Sequence, residues 1–388
     1  MKEKEKQLFK ALCRFREAFA APSLVEYATP SVLGQLFFNR MQGVAYGTLK
    51  ENGLLGKVNR EFRNSLRAAY EQNVQKNESF RTCIGMLSEM LSVCPCKAAM
   101  LKGAYLCMHY PDGYRTSCDA DLLVLPKDVT VIGDLLESAG FRQGNVRDDR
   151  FVPAARREII ESRMTRGETV PYIKEVNLPF MRFFEVDINF SLDCKSAGGK
   201  DLDVLSGMLS DVSVRQEKGI SVPTLKETDF FIHLCAHLYK EATSLPWIRM
   251  QRDMTLYKYC DIYLLLSEMS DEMLKKIFDR AAELGMEKIC AYAVLETAGL
   301  FDMKRTAARR ISEGVLGDDP AFCLRVTSLQ DRKTLMYQTA DVSDRFFMES
   351  RECDLMELCS GHRTVRAETA GAFSGDGGTS GSGIAEKN

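Results

Sequence analysis

Two short apolar runs constrain this chain more than any other feature. Ala98-Ala99-Met100-Leu101 stops at Lys102-Gly103, and Leu122-Leu123-Val124-Leu125 stops at Pro126. Runs of this length, ended by Gly or Pro, read as strands buried on both faces. Elsewhere the apolar residues recur at three and four, as in Leu8, Leu12, Phe15 and Phe19 before the runs and Phe230, Leu234 and Leu238 after them. That spacing is helical. The expected fold class is therefore α+β, a β-sheet core flanked by N- and C-terminal helical regions. The texture sets the boundaries: helices over 1–95, the sheet core over 96–195, a helical region over 196–345, and a tail over 346–388. From about Glu368 the tail is dominated by Gly, Ser and Ala, a composition that predicts disorder.

Local signals refine this outline. Ser23 with Glu26, and Thr224 with Glu227, have the spacing of capping boxes and predict helix starts. Ile84 to Val93 is expected to form the last N-terminal helix. Val129 to Ser138 reads as a helix closed by Gly140 in the left-handed conformation. The Arg- and Glu-rich stretch from Asn145 to Pro179 is expected to be exposed hairpin or loop, and Phe180 to Phe190 a strand.

Composition narrows the function classes. With 45% hydrophobic and 27% charged residues the 388-residue chain is globular on average. No window approaches the roughly twenty apolar residues that span a bilayer. The first apolar stretch is broken by Arg14, Arg16 and Glu17, unlike a signal peptide, so no membrane role is expected. Thirteen cysteines without a Cys-x-x-Cys pair point to reduced thiols and a cytoplasmic location. Lys plus Arg total 52 against 54 Asp plus Glu, so no whole-chain charge attracts nucleic acid.

The chemistry concentrates in Cys118-Asp119-Ala120-Asp121-Leu122-Leu123-Val124. Two acids at i and i+2 on a strand point to one face, about 6 to 7 Å apart. Acids at the mouth of a buried strand are costly without a cation, a partner or solvent. In Glu185-Val186-Asp187-Ile188-Asn189-Phe190 the residues Glu185, Asp187 and Asn189 share a face, and Asp187 completes a triad if the two strands pair. Three hard oxygen donors suit Mg²⁺, and two such ions, with Mn²⁺ as a substitute, would clamp an in-line phosphoryl displacement. Lys102-Gly103 forms a strand-to-helix turn suited to triphosphate oxygens, and Arg115 is a candidate bidentate phosphate contact. His233 and His237 have the spacing of a zinc pair but lack the adjacent glutamate of a metalloprotease. His237 and Lys240 are instead expected to face the cleft and touch substrate or a nucleotide phosphate, with His233 either packed or solvated.

Leu101-Lys102-Gly103, Tyr110-Pro111, Arg115, Asp119-Ala120-Asp121-Leu122-Leu123-Val124, Gly140-Phe141 and Glu185-Val186-Asp187-Ile188 together resemble the uncharacterised nucleotidyltransferase group of the DNA polymerase β-like superfamily. His233-Leu234-Cys235-Ala236-His237 and Tyr259-Cys260-Asp261-Ile262 resemble that group's helical half. The resemblance implies a small mixed β-sheet with helices, and Asp119, Asp121 and Asp187 as the catalytic metal ligands. It further implies Mg²⁺-dependent transfer of a nucleoside monophosphate from an NTP, ATP among them, to a hydroxyl. The acceptor is left open among a small molecule, a tRNA and a protein. Two departures stand out: Gly103-Ala104 replaces the Gly-Ser of broader members, and a long stretch separates Asp121 from Asp187. The competing readings are a catalytically inactive nucleotide-binding module and a helical interaction protein.

Overall fold

The computed structural model describes residues 1–192, 201–304, 306–317, 319–328 and 333–358. Its N-terminal region is helical: α1 (Glu3–Cys13), α2 (Pro30–Phe38), α3 (Gln42–Glu51) and α4 (Arg60–Ser92). The capping box expected at Ser23 does not open an α-helix, because Pro22–Tyr27 forms a short 3-10 turn. The start lies at Thr29, whose hydroxyl accepts from the Val32 amide, with Pro30 at the first helical position. Ile84 to Val93 is not a separate helix but the end of α4, whose 33 residues run about 50 Å at 1.5 Å per residue. No proline interrupts α4, and its buried Phe80, Cys83, Ile84, Leu87 and Leu91 keep one stripe on the core.

The sheet follows, in strands β1 (Ala98–Met100), β2 (Asp119–Val124), β3 (Arg142–Arg147), β4 (Arg150–Pro153), β5 (Tyr172–Leu178) and β6 (Met181–Asn189). Helices α5 (Gly103–His109), α6 (Val129–Ser138) and α7 (Arg156–Thr165) connect them. Gly140 closes α6 at φ +89°, as its sequence position predicts. The strand order is β1-β2-β6-β5-β3-β4, with β2 and β6 parallel and the other pairs antiparallel. A parallel neighbour requires a crossover, and everything from α6 to β5 forms it. The stretch from Asn145 to Pro179 is thus a hairpin in its first part, as expected, and a correction in the rest. It holds most of a β3–β4 hairpin, turning at Asp148 and Asp149 with both φ values positive, then α7 and β5. Strands with exposed or half-buried faces carry no apolar run, so composition disguised them. Phe180, expected inside the strand, sits in the turn before β6 at φ +53°.

The C-terminal region begins with α8 (Asp201–Ser210) and a hairpin of β7 (Ser213–Glu217) and β8 (Ile220–Thr224), where helical spacing was expected. Thr224 lies in β8 and donates its hydroxyl to the Met100 carbonyl at 2.6 Å, so it caps nothing, and α9 (Glu227–Ala242) starts after Lys226. Then come α10 (Leu245–Arg249), α11 (Leu256–Glu268), α12 (Asp271–Glu283), α13 (Glu287–Leu300) and α14 (Thr306–Leu316). A three-stranded sheet of β9 (Arg325–Ser328), β10 (Lys333–Tyr337) and β11 (Leu355–Glu357) includes α15 (Val342–Phe346) between its second and third strands. Residues 346–358, expected to open the tail, are therefore tied down: β11 pairs with β10, and Arg351 forks onto the fully buried Asp253 at 2.6 and 2.8 Å. The disorder expected from Glu368 onward lies outside the described residues. One hydrophobic cluster runs from α1 through the sheet to α15. Among the described residues no helix is long and apolar enough to cross a membrane.

Candidate active site

The parallel register of β2 and β6 sets Asp119 opposite Glu185 and Asp121 opposite Asp187. Side chains alternate along both strands. Ala120, Leu122, Val186 and Ile188 are buried beneath, while Asp119, Asp121, Glu185, Asp187 and Asn189 stand half-buried on the other face. The structure thus brings the three sequence-predicted acids together at one solvent-reachable edge. Burial, then the charges of Asp121, Asp119, Glu168 and Glu185, push the Asp187 carboxyl well above its usual range. Burial also opposes ionisation of Asp119, but the Ser117 hydroxyl and the charges of Arg115 and Lys102 outweigh it and hold Asp119 below the usual range.

Lys102 answers the acids directly. Its Nζ donates to Asp121 Oδ1 at 2.8 Å, and Asn189 Nδ2 donates to the same oxygen at 3.2 Å. Burial disfavours the ammonium, yet Asp121, Asp119 and Asp187 together keep it above the ordinary lysine range. The Lys102 backbone sits at φ +42°, a costly conformation for a residue with a side chain, at the turn between β1 and α5. Gly103 is required there by close approach: a Cβ would lie 2.8 Å from Ser117 Oγ. Ser117 in turn donates a short hydrogen bond to Asp119. A hydroxyl therefore stands at this turn after all, brought by Ser117 where the sequence has Ala104.

Arg115 departs from expectation. Its Nε and Nη2 donate to Asp261 at 3.2 and 3.3 Å and its Nη1 to the Thr116 carbonyl at 2.6 Å, so its nitrogens are engaged within the protein rather than open to phosphate. Asn73 and Asn77 of α4 hold the loop that leads to β2: they donate to the Gly113 and Arg115 carbonyls at 3.0 and 2.7 Å, and Asn77 accepts from the Gly113 amide. Sequence reasoning missed Ser117, Asn73 and Asn77. The only signal was two asparagines one turn apart in a helix interior, where Asn is unfavourable without a partner.

On α9, His237 is half-buried with Nε2 3.5 Å from Glu241, and Lys240 is exposed beyond it. Burial and the charges of Lys102 and Lys258 hold His237 well below its usual range, so its ring is neutral. Of the two placements left open for His233 it takes the packed one, with Nδ1 lacking a hydrogen-bond partner. Burial, then Lys102 and Lys240, push its pKa down to about 3. The unfolded chain takes this proton near pH 6.5, so folding stability is lost as pH falls from 6.5 toward 3, by about 1.4 kcal/mol per pH unit. Urea midpoints between pH 6.5 and 5.0 should include this slope, to which His237 adds in the same sense, and His233→Gln should remove its own share. An unchanged slope in the variant contradicts the burial argument.

Among the described residues no three Asp, Glu, His or Cys are arranged as a ready metal cage. Asp121 is occupied by Lys102 and Asn189, and Asp119 by Ser117. The donor set nevertheless fits a hard divalent cation. It is all oxygen, the raised Asp187 marks uncompensated negative charge, and the Lys102 ammonium already lies where three carboxylates attract a cation.

The family model for an uncharacterised nucleotidyltransferase matches residues 30–302, and the chain belongs to that family. No curated protein matches the chain. Among solved structures, it is similar to an antigenic nucleotidyltransferase-like protein from Paracoccidioides brasiliensis, at 13% identity over 53% of this chain and 88% of that one, with a TM-score of 0.32.

Proposed function

We propose that this protein transfers a nucleoside monophosphate from an NTP to a hydroxyl of an acceptor and releases pyrophosphate. The observation that carries this reading is the register that sets Asp121 against Asp187 with Asp119 two residues along. Asp119, Asp121 and Asp187 would hold Mg²⁺ or Mn²⁺, which supplies neutralisation of the phosphate charge that builds during displacement. Asp187, opposite Asp121 across the two strands, suits the role of helping the acceptor hydroxyl lose its proton. Lys102 offers a positive charge beside the acids for the phosphates, and Gly103 keeps the turn open to them. Arg115, pinned by Asp261, acts through its field by keeping Asp119 ionised. His237 and Lys240 border the nucleotide from α9.

The Lys102–Asp121 contact favours one rival, a module that binds nucleotide without turnover because lysine replaces the metal. Incubation of the full chain with each α-labelled NTP, Mg²⁺ and pools of metabolites, tRNA or protein separates the two. The expected result is labelled product and pyrophosphate with at least one NTP, lost on chelation. Nucleotide binding with no product from any base supports the rival.

A further inference from the structure

A cavity of about 310 Å³ opens on the acid cluster from the side of the N-terminal helices. Arg40, Gln42, Lys76, Tyr257 and Asp119 line it. Lys102, Asp121, Asp187, His237 and Lys240 are not in its wall, so it approaches Asp119 from a different direction than the Lys102 turn and α9.

Its charge is one-sided. Arg115 is paired with Asp261, so Arg40 and Lys76 are the further cations of the lining and Asp119 is its one carboxylate. Neither Arg40 nor Lys76 makes an ion pair with a carboxylate among the described residues. Arg40 is held instead by the Tyr257 ring, 5.0 Å from its centroid, and Arg115 stacks on the same ring at 4.7 Å. Stacking uses the guanidinium face and leaves its N–H edge for a bidentate anion. Arg40 is itself held at φ +57° between α2 and α3, a conformation that costs energy and fixes where the side chain starts. A third polar group, the Gln42 side-chain amide, also lines the cavity and can pair with a hydroxyl. The volume is at the lower end of small-molecule sites, too small for a folded partner.

We propose that this cavity is the acceptor site and takes a small phosphorylated polyol, with the phosphomonoester on Arg40 and Lys76, one hydroxyl near Gln42 and the reacting hydroxyl toward Asp119. The inference rests on the nucleotidyl-transfer reading. In the reaction, the polyol oxygen bonds to the α-phosphorus of the NTP as the bond from that phosphorus to the pyrophosphate oxygen breaks. The hydroxyl proton passes to a carboxylate, and pyrophosphate leaves with the bonding electron pair, so the product is a phosphodiester.

Calorimetry on the full chain with ribose 5-phosphate and glycerol 3-phosphate, with ribose and inorganic phosphate as controls, tests the site. At least one phosphorylated polyol should bind, both controls should bind more weakly, and Arg40→Gln and Lys76→Gln should each weaken it about 10-fold or more, as lost charge-assisted hydrogen bonds do. Absence of binding, equal binding of inorganic phosphate, indifference to both substitutions, or competitive displacement by NTP overturns the proposal. Thermal stabilisation by Mg²⁺ with NTP is measured in parallel. Stabilisation without polyol binding sinks the acceptor site alone, whereas polyol binding without stabilisation sinks the transfer reading.

Discussion

Asp121→Asn is expected to lower nucleotidyl transfer by about 10³-fold or more while leaving the melting temperature near that of the parent protein. Asparagine keeps the shape and one carbonyl oxygen but removes the charge that a divalent ion and developing phosphate charge require, and single preorganised electrostatic contacts are worth roughly 10²–10³ in rate. Stability is insensitive because the substitution also relieves Asp187, which Asp121 crowds, and Lys102 retains Asp119 and Asp187 as neighbours. The measurement is pyrophosphate release and thermal melting on one preparation. Transfer surviving within tenfold of the parent removes the acid cluster from the chemistry.

Asp261→Ala is expected to act in the opposite sense, unfolding the protein at markedly lower urea. Asp261 is 4% exposed and its removal strands the Arg115 guanidinium, 10% exposed, in a protein environment. Breaking one side of a buried pair costs about 3–5 kcal/mol. The paired replacement Arg115→Leu with Asp261→Leu should cost less than Asp261→Ala alone, since no charge is then left uncompensated. Urea midpoints of the single and double variants decide this. A loss under about 1 kcal/mol for Asp261→Ala would show that Arg115 is well solvated and free to serve phosphate.

These two sites differ in how readable they are. The acids of β2 and β6 alternate with buried aliphatics at period two, so their shared face was legible from order alone. Lys102-Gly103 was legible too, because a glycine ends an apolar run. The partner of Arg115 lies 146 residues away on α11, and no local pattern encodes such a contact. Both capping boxes misled for a related reason: hydroxyl residues satisfy several kinds of turn, and Thr224 is claimed by the Met100 carbonyl of a neighbouring strand. The strands β3, β4, β9, β10 and β11 carry polar or mixed sequences, so they lacked the apolar run by which β1 and β2 were read.

By itself the sequence determined where the buried strands lie, which residues on them are acidic, and that helices flank them, because burial and side-chain periodicity act over a few residues. Only the tertiary structure decided that β2 and β6 are neighbours in parallel register, that Ser117 and two asparagines of α4 shape the turn, and that a cationic cavity opens beside Asp119. Those features depend on contacts between distant segments, whose energies exist only once the chain has closed on itself.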